Sequence, residues 1–172
     1  MIITPRDGLG MTKILARRGQ AAMLAQQIQA HFGIALPNAP RRVTSGDVAV
    51  LGLGPDMWLA IREQGGNDFA LALEPLVTGV ASISDQSDAY VVLRLTGSDV
   101  REALERLVPI DLHPRVFAVG QVAETIAAHM GVLLWRVEDA ADGSSVFELA
   151  VPRSVCVSFC QALAHTSHAT SR

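Results

Sequence analysis

A polar loop at residues 111–115 (DLHPR) holds the side chains in this chain that are best suited to chemistry. Asp111 could orient the imidazole of His113, a group whose charge changes close to neutral pH, and Arg115 completes the candidate set. A catalytic Asp–His pair needs further groups placed around it, and the surrounding sequence supplies no clear ones. We therefore favour a hydrogen-bond cluster that fixes the loop over an acid–base pair.

A second polar segment, residues 84–88 (SDQSD), precedes an apolar run. One interpretation is a turn whose side chains close onto backbone groups. The other is a contact at the rim of a ligand site or of a neighbouring subunit, with Asp85, Gln86 and Ser87 as the candidates. Two acids in the segment argue against an anion site. The sequence leaves open whether these residues and the 111–115 loop form one cluster, at an interface or in a vestigial pocket.

Motifs for catalysis or cofactor binding are absent elsewhere in the sequence. It contains no glycine-rich dinucleotide loop, Walker loop, GxSxG, HExxH or paired CxxC pattern. Cys156 and Cys160 would share one helix face, which suits packed, reduced thiols better than a disulfide. His165 and His168 lie in a polar tail, where we expect a frayed end rather than a metal site. We predict no catalytic, cofactor-binding or metal-binding residue.

Composition indicates a folded domain whose surface is either unusually rich in uncharged polar residues or partly covered by a partner, and we favour the partner. The chain has 172 residues, of which 49% are hydrophobic and only 18% are charged, against about 25% in typical soluble domains. Its apolar runs are too short to span a membrane, and a net charge of −3 gives no general affinity for nucleic acid. Residues 1–46 nevertheless carry six basic residues and one acidic residue. This basic third is either a plain basic edge or a docking surface for an acidic partner.

Hydrophobic periodicity divides the chain into alternating groups of strands and helices. Strands are predicted at 11–16, 48–53, 58–62, 80–83, 89–95, 121–129, 132–137 and 146–151. Helices are predicted at 20–32, after Asn67, after Ser98 and after Ser154, with these three residues as N-caps. Pro75 should end or kink the second helix, and residues 33–46 should be an exposed connection.

A weak internal repeat suggests two similar halves. Gly19 and Gly97 each follow a strand and open a helix, and Trp58 and Trp135 follow them at nearly equal spacing. The fold class is therefore predicted as α+β, built from two fused ferredoxin-like, split βαβ units. We expect a single compact domain over 1–172, with halves at 11–85 and 86–166 and a polar tail at 167–172.

Six segments, in this order, resemble the gamma subunit family of heterotetrameric sarcosine oxidase. They are ILARRGQAA ending at residue 22, LGPDMWLAI at 53–61, SDQSDAYVVLRLTG at 84–97, PIDLHPRVF at 109–117, HMGVLLWR at 129–136 and FELAVPRS at 147–154. The resemblance covers about residues 11–164. It implies a fold similar to a reduced form of the folate-binding, aminomethyltransferase-like fold.

The resemblance also implies a role in a bacterial cytoplasmic complex of alpha, beta, gamma and delta subunits. The family's complex oxidises sarcosine with oxygen to glycine, hydrogen peroxide and formaldehyde, or methylenetetrahydrofolate when tetrahydrofolate is present. FAD, FMN and NAD belong to the large subunits and zinc to delta, while gamma carries none of them. We therefore expect a non-catalytic assembly subunit in sarcosine catabolism and one-carbon metabolism, with alpha as its main contact.

Two other functions fit parts of the sequence. One is a stand-alone folate-binding protein of the aminomethyltransferase type, which would need a pterin pocket with stacking aromatics. The other is an unrelated interaction module that uses the basic N-terminal third, whose binding would weaken as salt is added.

Overall fold

A computed structural model describes residues 1–66 and 68–168, the last two of these by their backbone only. The chain divides into two compact units. The first unit is Gly8–Asp88, and the second unit combines Met1–Asp7 with the chain from Ala89 onward. The predicted cap Asn67 and the tail from residue 169 lie outside the described residues. That the whole chain forms one duplicated domain stays a prediction.

The described residues form ten strands and four helices. The strands are β1 (Ile2–Arg6), β2 (Gly10–Ala16), β3 (Arg42–Ser45), β4 (Val48–Gly54), β5 (Met57–Arg62), β6 (Ala81–Asp85), β7 (Tyr90–Thr96), β8 (Val122–Ala127), β9 (Met130–Val137) and β10 (Val146–Pro152). The helices are α1 (Ala21–Phe32), α2 (Asp68–Val77), α3 (Val100–Glu105) and α4 (Cys156–His168). None of them is both long and apolar enough to cross a membrane.

The first unit is a five-stranded antiparallel sheet in the order β3-β4-β5-β2-β6. Helices α1 and α2 cover one face, where Leu24, Ile28 and Phe69 pack against alternate strand residues such as Ile14. This packing follows from the period of two in the strands and the apolar stripe of each helix.

The second unit repeats this arrangement with a sheet in the order β1-β7-β10-β9-β8. All four pairings are antiparallel. Val100, Leu104 and Phe159 from the helices pack on one sheet face with alternate strand residues such as Leu149. The α+β class predicted from the sequence is therefore confirmed.

The strand orders correspond if β2, β3, β4 and β5 are matched to β7, β8, β9 and β10. Gly19 and Gly97 then occupy equivalent places, after the first strand and before the first helix. Trp58 and Trp135 do not, because Trp58 lies on β5 whereas Trp135 lies on β9. The two tryptophans were therefore wrong landmarks for the repeat.

Two edge strands were missed by the sequence prediction. β1 lies beside β7, the place that β6 takes beside β2 in the first unit. β3 interrupts the predicted connection at 33–46. Both strands are short and carry little hydrophobic alternation, so their pairing comes from the neighbouring strand rather than from their own pattern.

The predicted helix ends also need correction. Asp99, not Ser98, is the residue before α3, and its side chain makes no capping hydrogen bond. Ser154 lies inside a short 3₁₀ turn, Arg153–Val155, that leads into α4. Pro75 lies inside α2, which continues two residues beyond it. His165, expected in a frayed end, lies within α4 and its Nδ1 is 2.7 Å from the Gln161 carbonyl oxygen.

Candidate functional site

The loop after α3 is a turn anchored by buried apolar side chains. Leu112 is fully buried and Phe117 is nearly so, while Asp111, His113 and Arg115 are exposed. The carboxylate of Asp111 accepts a hydrogen bond from the His113 backbone N–H at 2.8 Å. This is the local side chain-to-backbone closure that Asp provides in turns.

The imidazole of His113 is not oriented by Asp111. Its Nδ1 accepts a hydrogen bond from the Arg115 backbone N–H at 3.3 Å. The His113 carbonyl oxygen accepts from the N–H groups of Val116 and Phe117, both at 2.8 Å. Acid and imidazole are therefore both engaged with the backbone, which is the loop-fixing arrangement and not a catalytic pair.

The 84–88 segment is a turn of the same kind at the end of β6. Asp85 Oδ1 accepts hydrogen bonds from the Ser87 N–H at 2.9 Å and from the Ser87 hydroxyl at 2.7 Å. Ser87 Oγ also accepts from the Met11 N–H at 2.9 Å. The Gln86 N–H donates to the Met11 carbonyl oxygen at 2.7 Å. These bonds fasten the turn to β2.

The two polar segments belong to different compact units. Each is closed by hydrogen bonds within its own unit. The hydrogen bonds around the six candidate residues close each turn locally, and their candidacy for an interface or a vestigial pocket stays a prediction.

A buried carboxylate that the sequence analysis missed lies on β10. Glu148 is 3% exposed, and Arg94 donates to its Oε1 through Nε at 2.8 Å and Nη2 at 2.7 Å. Arg6 also donates to Oε1, and the Trp135 indole N–H donates to Oε2 at 2.8 Å. Both carboxylate oxygens are thus satisfied, so the cluster ties four strands together and leaves no free base.

A second buried charge, Arg136, lies on β9. Its guanidinium donates to both carboxylate oxygens of Asp139, at 2.7 and 3.0 Å, and to the Phe117 carbonyl oxygen at 3.2 Å. Arg136 therefore anchors the backbone that directly follows the 111–115 loop to β9. Arg136 and Glu148 are each the one charged residue in an otherwise apolar strand. A charge in such a strand must be paired if it is buried, so this pattern is the sequence signal for both clusters.

The two cysteines lie one turn apart on α4 and are not bonded to each other. Both pack against the apolar core of the second unit. Burial raises the pKa of the Cys160 thiol, and the neighbouring Cys156 raises it further. Such a thiol is poorly ionised near neutral pH and is a weak nucleophile.

Among the described residues, no three His, Cys, Asp or Glu side chains are grouped so that they could hold a metal ion. A cavity of about 540 Å³ lies where the chain after α3 meets the β8–β9 turn. Its lining is apolar apart from Arg106 and His129, and Arg106 is paired with Glu102 at 2.6 Å. This cavity also lacks an acid–base constellation.

Comparison with known proteins gives one consistent result. Residues 18–169 match the model of the family described as sarcosine oxidase, gamma subunit family. The chain is 33% identical over 130 residues to the sarcosine oxidase subunit gamma of Arthrobacter sp., and 36% identical over 136 residues to that of Corynebacterium sp. strain U-96. Each match covers 74% of this chain but only 62% and 61% of the relatives, so the chain spans about three fifths of their length.

The fold is likewise similar to a solved structure. A chain of the heterotetrameric sarcosine oxidase from Corynebacterium sp. U-96, in complex with pyrrole 2-carboxylate, superposes with a TM-score of 0.83 and 27% identity. The match covers 99% of this chain and 85% of that one. By its matched residues and its fold, the chain belongs to the sarcosine oxidase gamma subunit family.

Proposed function

We propose that this chain is a non-catalytic subunit of a heterotetrameric sarcosine oxidase. The observation that carries the proposal is the agreement in fold with a chain of that complex over 99% of the present chain. In this role the chain would assemble with alpha, beta and delta subunits in the cytoplasm, with alpha as its main contact. It would contribute to sarcosine catabolism and one-carbon metabolism by stabilising the complex.

The polar side chains support a structural role. Asp111, His113 and Asp85 accept hydrogen bonds from backbone N–H groups of their own turns, and Ser87 accepts one from Met11 on β2. Glu148 is bound by two arginines and an indole. A catalytic centre needs groups left free to take or give protons. As the family resemblance implies, we propose that FAD, FMN, NAD and zinc belong to the partner subunits.

The finer fold assignment is also a proposal. In the first unit, the order β6-β2-β5-β4 with two helices on one face is the order of a ferredoxin-like, split βαβ unit, and β3 extends it by one strand. The second unit would be the same unit with β1 in place of its last strand. Two such units would give the reduced folate-binding, aminomethyltransferase-like fold that the sequence led us to expect.

Affinity purification of the tagged chain from its native cells, followed by subunit masses and a visible absorption spectrum, tests the assignment. We expect three co-purifying chains and a flavin spectrum. The isolated chain should turn over no sarcosine by itself. A lone, colourless chain under gentle conditions would refute membership in the complex, and sarcosine oxidation by the isolated chain would refute the non-catalytic role.

A second experiment separates assembly from catalysis. Replacing His113 by Ala removes one acceptor from the turn, so we expect turnover per assembled flavin to stay unchanged; if the two polar loops form one cluster at an interface, the chain should also associate less tightly. A loss of turnover per flavin in fully assembled complex would contradict the structural role of this loop.

A further inference from the structure

The C-terminal end of β2, an interior strand of its sheet, is exposed on one face of the sheet. Neighbouring side chains normally cover an interior strand on such a face. β2 lies between β5 and β6. Its residues alternate, so that Ile14 is buried under the helices while Lys13 and Leu15 point to the opposite face and are exposed. Leu15 is 49% exposed. Single exposed leucines are common on protein surfaces, so Leu15 matters here for its place beside exposed basic residues.

The reason that Leu15 is open lies in its cross-strand neighbours. On β6 the partners of Leu15 and Lys13 are Ser82 and Ser84, whose side chains are too small to cover them. On β5 the partner of Leu15 is Met57, which is itself partly exposed. The result is a small apolar centre with polar side chains around it.

Positive charge is concentrated directly beyond this strand end. Arg17 and Arg18 follow β2 in an exposed turn, and the Arg17 carbonyl oxygen accepts a hydrogen bond from the Gln20 N–H at 2.8 Å. Gly19, with φ of 75°, allows the turn to close. The backbone of Arg17 is thus held in place by hydrogen bonds on both of its polar groups, since its N–H also donates to the Val80 carbonyl oxygen at 2.8 Å.

The charges of this region are not neutralised by the chain itself. Within the part of the chain that the structure describes, Lys13, Arg17 and Arg18 have no side-chain ion pair, whereas Arg94 and Arg136 are each paired with an acid. No acidic residue occurs between residues 8 and 46.

The surroundings of the two arginines add little negative charge. α1 begins at Ala21 with no acidic residue in its first turn and no side-chain cap, so its positive end adds to the field. Asp56 lies beside the end of β2, because its backbone carbonyl oxygen accepts a hydrogen bond from the Ala16 N–H at 2.9 Å. The Asp56 side chain is exposed, and within the described residues it forms no ion pair with Lys13, Arg17 or Arg18.

We propose that Lys13, Leu15, Arg17 and Arg18, here named the β2 exit surface, dock this chain onto an acidic surface of a partner subunit. The inference rests on the proposed function and deepens it by naming the surface and the chemistry of its partner. The partner supplies carboxylates that accept paired hydrogen bonds from the guanidinium groups, and an apolar contact that covers Leu15.

The test uses the assembled complex, produced with its partner subunits. The variants are the double charge reversal Arg17→Glu/Arg18→Glu and the single change Leu15→Ser. Arg41→Glu, compared with the single reversal Arg17→Glu, is the matched charge control, since Arg41 is exposed and precedes β3 at the other edge of the same sheet. Val157→Ser is the apolar control, since Val157 is 73% exposed on α4. Circular dichroism melting confirms that each variant is folded.

The measurement is the dissociation constant of the chain from the flavin-containing assembly at two salt concentrations. We expect the double reversal to weaken binding at least about tenfold at about 50 mM salt, and to lose the salt dependence that the unmodified chain shows up to about 500 mM. Leu15→Ser should weaken binding equally at both concentrations. Both control variants should bind like the unmodified chain.

Three results would overturn the proposal in distinguishable ways. If the unmodified chain is absent from the assembly, the proposed function fails and this surface with it. If the unmodified chain assembles and the double reversal binds equally well, or Arg41→Glu binds as poorly as Arg17→Glu, only the surface assignment fails. If the chain instead co-purifies with nucleic acid that nuclease removes, the β2 exit surface serves a different class of partner.

Discussion

Glu148 shows how one residue can hold a sheet together. Its carboxylate joins Arg6 on β1, Arg94 on β7 and Trp135 on β9 to its own strand, β10. A buried carboxylate is stable only if it is paired and hydrogen-bonded, and here both of its oxygens have donors. Removing its charge leaves two guanidinium groups facing a neutral acceptor in a largely buried place.

We predict that Glu148→Gln lowers the free energy of unfolding by about 2–4 kcal/mol. The expected loss is smaller than the loss measured when a fully buried ion pair is broken, because the Arg94 side chain is partly exposed to solvent. Urea denaturation measures it. The control is Glu102→Gln, which breaks the exposed pair with Arg106 and should cost about 0.5 kcal/mol or less. Equal effects of the two changes would show that the Glu148 cluster contributes no more than a surface ion pair.

Cys160 should react slowly with thiol reagents. Its pKa is raised, first by burial and then by Cys156, so little thiolate exists at about pH 8. We expect iodoacetamide to alkylate Cys160 more slowly in the folded chain than in the urea-unfolded chain, as followed by mass spectrometry. Equal rates in the two states would contradict the burial of this thiol.

The same pKa shift predicts a direction for stability against pH. Because the folded state holds the Cys160 proton more tightly than the unfolded state, the stability contribution is complete below the unfolded pKa. It is lost as pH rises through the raised folded value. Chemical denaturation above about pH 9 should therefore show a decline that a Cys160→Ser variant lacks.

At the scale of the elements, β4 depends on a glycine because another segment crosses it closely. A Cβ at Gly52 would lie 2.2 Å from the Ala39 carbonyl oxygen. The Trp58 indole N–H on β5 donates a hydrogen bond to the Pro37 carbonyl oxygen, in the segment that contains Ala39, at 2.7 Å. The 37–41 segment thus packs directly on the hairpin of β4 and β5.

Gly52→Ala should therefore destabilise the fold by about 1–3 kcal/mol, the usual range for an overpacked position. Thermal unfolding measures the effect. Gly131→Ala is the matched control, since a Cβ at Gly131 on β9 meets nothing within 4 Å and should be close to neutral. An unchanged melting temperature for Gly52→Ala would show that the crossing segment moves away at no cost.

The strands that could be predicted from the sequence are those whose own residues form an apolar run. β4, β5, β7, β9 and β10 have long apolar runs, and both sheets are built on them. β1 contains a proline and has few buried residues, so nothing local predicts that it completes a distant sheet. α3 begins after Asp99 without a side-chain cap, which is why a capping rule placed its start wrongly.

The candidate sites could be predicted only in part for a similar reason. The sequence located both polar turns, and hydrogen-bonding rules for Asp and Ser anticipated that they close onto the backbone. The Glu148 cluster was not found, because its members are far apart in the chain: Arg6, Arg94, Trp135 and Glu148. Sheet register, which sequence alone does not give, brings them together.

At the scale of the whole molecule, the two units share one strand order but differ in where the fifth strand originates. The first unit takes β6 from directly after α2, whereas the second takes β1 from the start of the sequence. The chain order of the strands therefore repeats for the four strands β2–β5 and β7–β10. It does not repeat for the fifth strand of each unit.

Native mass spectrometry of the sarcosine-oxidising, flavin-containing complex from the source cells tests the central claim most directly. We expect an assembly of four different chains in which one copy of this 18.3 kDa chain is present. Disrupting the complex should release the chain without bound flavin or zinc. A flavin-containing oxidase that is intact and active without this chain, or a released chain that carries its own cofactor, would contradict the account.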